Sequence, residues 1–236
     1  ATGNYCNYPN PSGHITLAPD GYEPFYVTHY GRHGARYMTS DKHYKYTIGK
    51  MDTAQAQGLL TEYGKEILQR LNVAAANAWH RDGDLTELGG RQHRAIAHRL
   101  MVNYPSLMNQ AIDVKANSST VRRCMLSMAN FCQEMISMNP SLNISMDASE
   151  HDMYYMIAND SIVIPKSDKD DALYEKLDVF RHKMLNGRHQ FELLFTNPEA
   201  AGKFIDHYKF TDALWNIEAD MYCLPELNLS FNALFN

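Results

Sequence analysis

The sequence predicts an α/β fold with a mostly parallel sheet, followed by a helical subdomain. Two strand-to-helix transitions carry the first part of that expectation, and a change of character after Pro140 carries the second. Residues 25–30 form a β-prone apolar run that ends in a glycine-flanked loop, Gly31-Arg32-His33-Gly34-Ala35-Arg36. Ile112, Val114 and Ala116 alternate as in a short strand and lead into a helical stretch. Strand, helical connection, strand, helix is the order that builds a parallel sheet, because parallel neighbours need a long crossover.

The elements follow in order. Residues 1–24, rich in Asn, Pro, Gly and Tyr, read as an irregular lead-in. Residues 25–30 are the first strand, and residues 41–50 a polar, tyrosine-rich loop. Thr61 caps a helix whose Ile67, Leu68 and Leu71 supply an apolar stripe. Thr86 caps another, with Leu88, Ala95, Ile96 and Leu100 recurring at helical spacing. The Leu-Thr-Glu-x-Gly string occurs twice, from Leu60 and from Leu85, which two similar helix starts explain more simply than an internal repeat. A helix begins at Ser118 or Ser119 and stops near Pro140. Beyond it strand-like alternation fades, and residues 170–185 and 198–219 look helical and amphipathic. The expected division is a core over residues 1–139 and the start of a helical cap over residues 140–236.

At 236 residues, 44% hydrophobic and 21% charged, the composition is that of an ordinary soluble globular protein. A net charge of −5 argues against general nucleic-acid binding, which needs a basic face. It does not argue against an anionic substrate, since a local arginine cluster can dominate the field in a cleft. No apolar run reaches the length of a membrane span, so no membrane partner is expected. The chain opens on Ala1 with no charged and apolar leader, as a processed or trimmed N-terminus would.

The chemistry sits in the loop after the first strand. His33 lies between Arg32 and Arg36, a poor place to bind a cation and a good place to attack a phosphate. Arginine forks grip phosphate oxygens bidentately, and a neutral imidazole beside them can act as nucleophile. Glycines at 31 and 34 allow backbone N–H groups to turn toward an anion. In open α/β sheets ligands sit beyond the carboxyl ends of the strands. Both residues 32–36 and the turn over residues 117–123 lie at such ends, so two separate turns converge on one place.

The segment around Arg32-His33-Gly34-Ala35-Arg36 resembles the signature of the histidine phosphatase superfamily, in its acid phosphatase and phytase branch. Leu85-Thr86, Gly89 and Gln92 are similar to that branch's Leu-Thr-x-x-Gly-x-x-Gln element. Arg123-Cys124, Ser127 and Phe131 give an Arg-Cys-x-x-Ser-x-x-x-Phe spacing that most resembles the multiple inositol polyphosphate phosphatases. Met38 departs from the pattern, which usually has proline there; loop stiffness changes but no chemical group is lost. The resemblance implies a three-layer α/β/α core with a helical cap. It also implies phosphomonoester hydrolysis through a phosphohistidine on His33, with Arg32, Arg36 and Arg123 binding the phosphate. No cofactor and no metal are expected, and the implied substrate is an inositol phosphate such as phytate. Export to the periplasm or the extracellular space is a further implication.

Arg122 rivals Arg123, and the register favours Arg123. Asn117 or Ser119 would contribute through the helix start, where backbone N–H groups favour anions. His29 is open between lining the sheet end and simple burial, while His93 and His98 read as structural or exposed. No His-Glu-x-x-His motif asks for a metal. Cys124 and Cys132, eight apart on one helix, are separated by roughly 12 Å, beyond the reach of a disulfide, and should pack as small apolar residues. Cys6 and Cys223 are open as partners.

In this branch the leaving oxygen is protonated by the acid of a His-Asp or His-Ala-Glu near the C-terminus. The one His-Asp here, His151-Asp152, follows residues that do not read as a buried strand. The chain is therefore expected to resemble the N-terminal half of such a phosphatase. By itself it is expected to be a poor catalyst, and to associate with the missing half or with itself through exposed strand edges. A non-catalytic phosphate-binding module and a phosphoglycerate mutase-like phosphotransferase are the alternatives.

Overall fold

The computed structural model describes residues 18–156 and 171–235, together with Tyr8 and Thr16. Its first helices are α1 (Lys42–Ala56), α2 (Glu62–Ala78), α3 (Glu87–Asn103) and the short α4 (Pro105–Met108). Strand β1 (Asp113–Asn117), α5 (Arg122–Met138) and strand β2 (Asn143–Asp147) follow. The remaining helices are α6 (Met153–Met156), α7 (Asp171–Met184), α8 (Arg188–Leu194), α9 (Pro198–Gly202) and α10 (His207–Met221). The fold is mixed α/β, with helices dominating and a small parallel sheet. No helix among the described residues is long and apolar enough to cross a membrane.

The chain divides into two compact units. The first holds the chain as far as Arg36 and the segment from Asp84 through α6; the second holds Tyr37–Gly83 and α7 through α10.

In the first unit β1 and β2 pair in parallel, Asp113 against Asn143 through Asn117 against Asp147, with α5 as the crossover. Pro140 ends α5 but not the sheet. The expected loss of strand character at that point is corrected: residues 143–147 find a ladder partner in β1 despite their exposed, polar sequence. Helices α3 and α5 run parallel, since Arg94 bonds Asn130 and His98 lies 3.1 Å from Glu134 one turn further along both. Ala97, Met101, Met108, Met135 and Leu142 form the core beneath them.

The most buried positions of α3 are Gly89, Gly90, His93, Ala97 and Met101 rather than the larger apolar residues the spacing singled out. Small residues win there because backbone approaches that face. Residues 25–30, expected as a strand, are not one in the structure. Val27 packs on the core, while Phe25, Tyr26 and Tyr30 are exposed. β propensity describes a side chain's fit to a sheet, and no ladder partner meets this segment among the described residues.

The second unit is helical. The expected loop at residues 41–50 is instead the start of α1, whose Tyr44, Thr47, Met51 and Ala54 form one buried stripe. Two polar members kept that stripe from reading as apolar. Thr61 caps α2 as expected, accepting from Gly64 N–H at 2.9 Å, and Ile67, Leu68 and Leu71 are buried. The helical stretch at residues 198–219 is two helices, because Asp206 caps a new one by accepting from Lys209 N–H at 2.8 Å. Phe191, Phe195, Phe210 and Phe231 fill the core. Asp170 of the expected helix 170–185 and Cys6 lie outside the described residues; Cys223 is buried, as is Cys132.

Candidate functional site

Residues 32–36 are docked onto the start of α3 through backbone. The Ala35 carbonyl accepts from Thr86 N–H at 3.0 Å and from the Thr86 hydroxyl at 3.1 Å. The same hydroxyl caps α3 by accepting from Gly89 N–H at 3.2 Å. Ala35 N–H donates to Gln92 Oε1 at 2.8 Å, and Arg36 forms an isolated antiparallel bridge with Leu85.

Glycine is required on both sides of this contact. A Cβ on Gly34 would stand 2.4 Å from the Gly89 carbonyl oxygen, and a Cβ on Gly89 would stand 2.2 Å from that of Ala35. The expectation that glycine here frees N–H groups for an anion is corrected for Gly34, whose N–H donates to Ser127 Oγ at 3.1 Å. Gly31 serves space too: a Cβ there would meet His29 Nε2 at 2.9 Å.

The other wall is α5. Arg123, Ser127 and Phe131 are spaced by four and share one face. Successive turns of that face meet the loop segment. Arg123 acts electrostatically on His33, Ser127 holds Gly34, and the Phe131 ring stacks on His29 at 4.9 Å and 18°. Arg122 is 69% exposed on its side chain and pairs with Asp84 at 3.0 Å, which separates it from Arg123.

Helix α5 begins at Arg122, later than expected. Ser118 and Ser119 are buried ahead of it, and Ser118 N–H donates to the Asp147 carbonyl at 3.0 Å. Its N-cap is Val121, whose side chain makes no cap hydrogen bond. A helix N-terminus carries the positive end of the helix dipole.

His33 is half-buried, and its Nδ1–H donates to the Gly34 carbonyl at 2.8 Å. That bond assigns the tautomer in which Nε2 carries the lone pair. Burial is the largest influence on its proton affinity and lowers it; the Gly34 carbonyl opposes; Arg123, Arg32 and Arg36 lower it further. The structure therefore brings all three arginines within electrostatic range of one imidazole and favours its neutral form. Burial likewise depresses His29 and His93, the latter held by the Arg32 carbonyl at 3.1 Å and felt by both His29 and His33. Among the described residues no group of three or more His, Cys, Asp or Glu is placed to hold a metal ion.

His151 lies in a single 3₁₀ turn, Glu150–Asp152, after β2, and is exposed. Thr120 donates from its hydroxyl to Glu150 at 3.1 Å, which ties this turn to the loop ahead of α5.

Ser127 and Gln92 lie inside the sequence motifs but carry no expected role there. The signal that could have found them is their register with Gly89 and Arg123, three or four residues apart on helices.

No family model matches the chain. Nor does any curated protein. Solved structures do match. The multiple inositol polyphosphate phosphatase of Bifidobacterium longum in complex with phosphate superposes with a TM-score of 0.75 at 19% identity, over 98% of this chain and 64% of that one. The same enzyme in complex with inositol hexasulfate gives 0.72 at 18% identity, over 98% and 65%. Its apo form gives 0.74 at 18% identity. The chain thus has the fold of this phosphatase and spans less than two thirds of its length.

Proposed function

We propose that this chain carries the phosphate-binding and nucleophilic half of a phosphomonoesterase acting on inositol polyphosphates. One observation carries the reading: an imidazole with Nδ1 tied to a backbone carbonyl and three guanidinium groups acting on it. The likeness to phosphatases solved with phosphate and with inositol hexasulfate supports the substrate class.

In the proposed reaction Nε2 of neutral His33 attacks phosphorus in line, the P–O bond to the alcohol breaks, and a phosphohistidine forms. Arg32, Arg36 and Arg123 spread the charge of the transferring phosphoryl group, helped by the N-terminus of α5. The departing oxygen needs a proton, because an alkoxide is a poor leaving group. We assign that proton to a carboxylic acid in the part of the fold that this chain does not span. Water then attacks the phosphohistidine, releasing phosphate and regenerating His33.

Phosphate release from an aryl phosphate, whose leaving oxygen needs little help from an acid, tests the reading, with His33→Ala as the control. Turnover by the wild-type protein and none by the variant is expected. Tight phosphate binding by a wild-type protein that releases none would instead favour a binding module.

A further inference from the structure

We propose that His93 is a positioning residue, setting the direction of His33 by holding the peptide group between Arg32 and His33. The proposal rests on the reading of His33 as nucleophile. Each peptide group from Arg32 to Arg36 is held by a different set of atoms. His93 Nε2–H donates to the Arg32 carbonyl at 3.1 Å. Ser127 accepts from Gly34 N–H at 3.1 Å. The Gly34 carbonyl accepts from the His33 ring at 2.8 Å, and Gln92 accepts from Ala35 N–H at 2.8 Å. Thr86 holds the Ala35 carbonyl.

The peptide that His93 holds has the Cα of Arg32 at one end and that of His33 at the other. That plane lies between ψ of Arg32 and φ of His33, the two torsions that set the direction of the nucleophile relative to a phosphate ligand. His93 is only 7% exposed, so water competes little for its bond. Gln92 and His93 are consecutive on α3, so one rigid helix turn fixes both flanks of His33. Arg36 and Arg123 are not held through this peptide, so phosphate binding should depend on His93 far less than the chemical step does.

The test compares His93→Gln with His93→Asn. The glutamine amide reaches about where imidazole Nε2 stands and keeps the donor; the asparagine amide is shorter and loses it, while both remain polar. Nitrogen NMR of the His33 ring gives a readout that needs no turnover, since loss of loop geometry releases Nδ1 from Gly34. We expect H93Q to keep the wild-type tautomer and kcat. We expect H93N to mix tautomers and to lower kcat by about 10²-fold, the scale of a 1 Å misplacement, with KM changed less than kcat. Equal behaviour of the two variants in the His33 spectrum and in kcat would overturn the proposal. A wild-type protein that hydrolyses no phosphate ester would sink the phosphatase reading instead, and the tautomer contrast would still decide the role of His93.

Discussion

The same docking device occurs in both units of this molecule, and only one copy holds the loop that carries His33. At Leu60-Thr61-Glu62-Tyr63-Gly64, Thr61 N–H donates to the Leu194 carbonyl at 3.0 Å, and Leu60 bridges Phe195. The Thr61 hydroxyl accepts from Gly64 N–H and also reaches the Leu194 carbonyl at 3.3 Å. A Cβ on Gly64 would stand 2.3 Å from the Leu194 carbonyl oxygen. Each of these features repeats at Leu85-Thr86-Glu87-Leu88-Gly89, with Ala35 in the place of Leu194 and Arg36 in that of Phe195.

The difference lies in what is docked. One copy receives Leu193, Leu194 and Phe195 and closes an apolar core. The other receives Gly34, Ala35 and Arg36 and presents charge. Six residues after the threonine the helix carries buried Ile67 in the first case and Gln92, bonded to Ala35 N–H, in the second. The Leu-Thr-x-x-Gly element is therefore scaffold, and the charge comes from the segment laid on it.

The sharpest way to separate the copies is to remove charge, which only one of them holds. Arg123→Ala should cut turnover by about 10²–10³-fold, the scale of a lost transition-state donor, with the melting temperature little changed. Steady-state kinetics and a thermal melt check both halves of that statement.

The glycines test the scaffold itself. Gly89→Ala and Gly64→Ala each push a Cβ against backbone oxygen and should each destabilise by about 1–3 kcal/mol, the usual cost of overpacking. Only Gly89→Ala should also weaken phosphate binding, measured by titration on folded protein at low temperature. Equal loss from Gly64→Ala would break the comparison. Smaller still are the caps: Thr61→Ala and Thr86→Ala should each cost about 1 kcal/mol in urea melts, with only the second altering kcat.

Acid should expose the smallest difference. His33, His29 and His93 all have folded proton affinities pushed below the ordinary 6.5, chiefly by burial. Their neutral forms belong to the fold, so the stability they contribute is complete above pH 6.5 and lost as pH falls through the depressed values. Turnover should rise with pH along the same limb, as His33 becomes neutral. A rate that falls as pH rises toward 6.5 would contradict that assignment.

Charged residues and caps were legible in the sequence because their signals are local. Arg32, His33 and Arg36 stand within five residues, and Thr61 and Thr86 each precede a glycine by three. What was illegible depends on partners distant in sequence. The run at residues 25–30 has strand composition, and nothing local says whether a ladder partner arrives. Residues 143–147 look exposed and polar, yet pair with β1. His93 reads as structural or exposed because its partner is a carbonyl 61 residues earlier, which no spacing along α3 reveals.

In the proposed reaction the docked loop presents His33 Nε2 to phosphorus. Rapid acid-free quenching of the protein during turnover of labelled phosphate ester, followed by peptide mapping, tests it most directly. The account predicts an acid-labile, alkali-stable phosphoryl group on His33, absent from His33→Ala. Turnover with no trapped label, or label that persists in that variant, would contradict it.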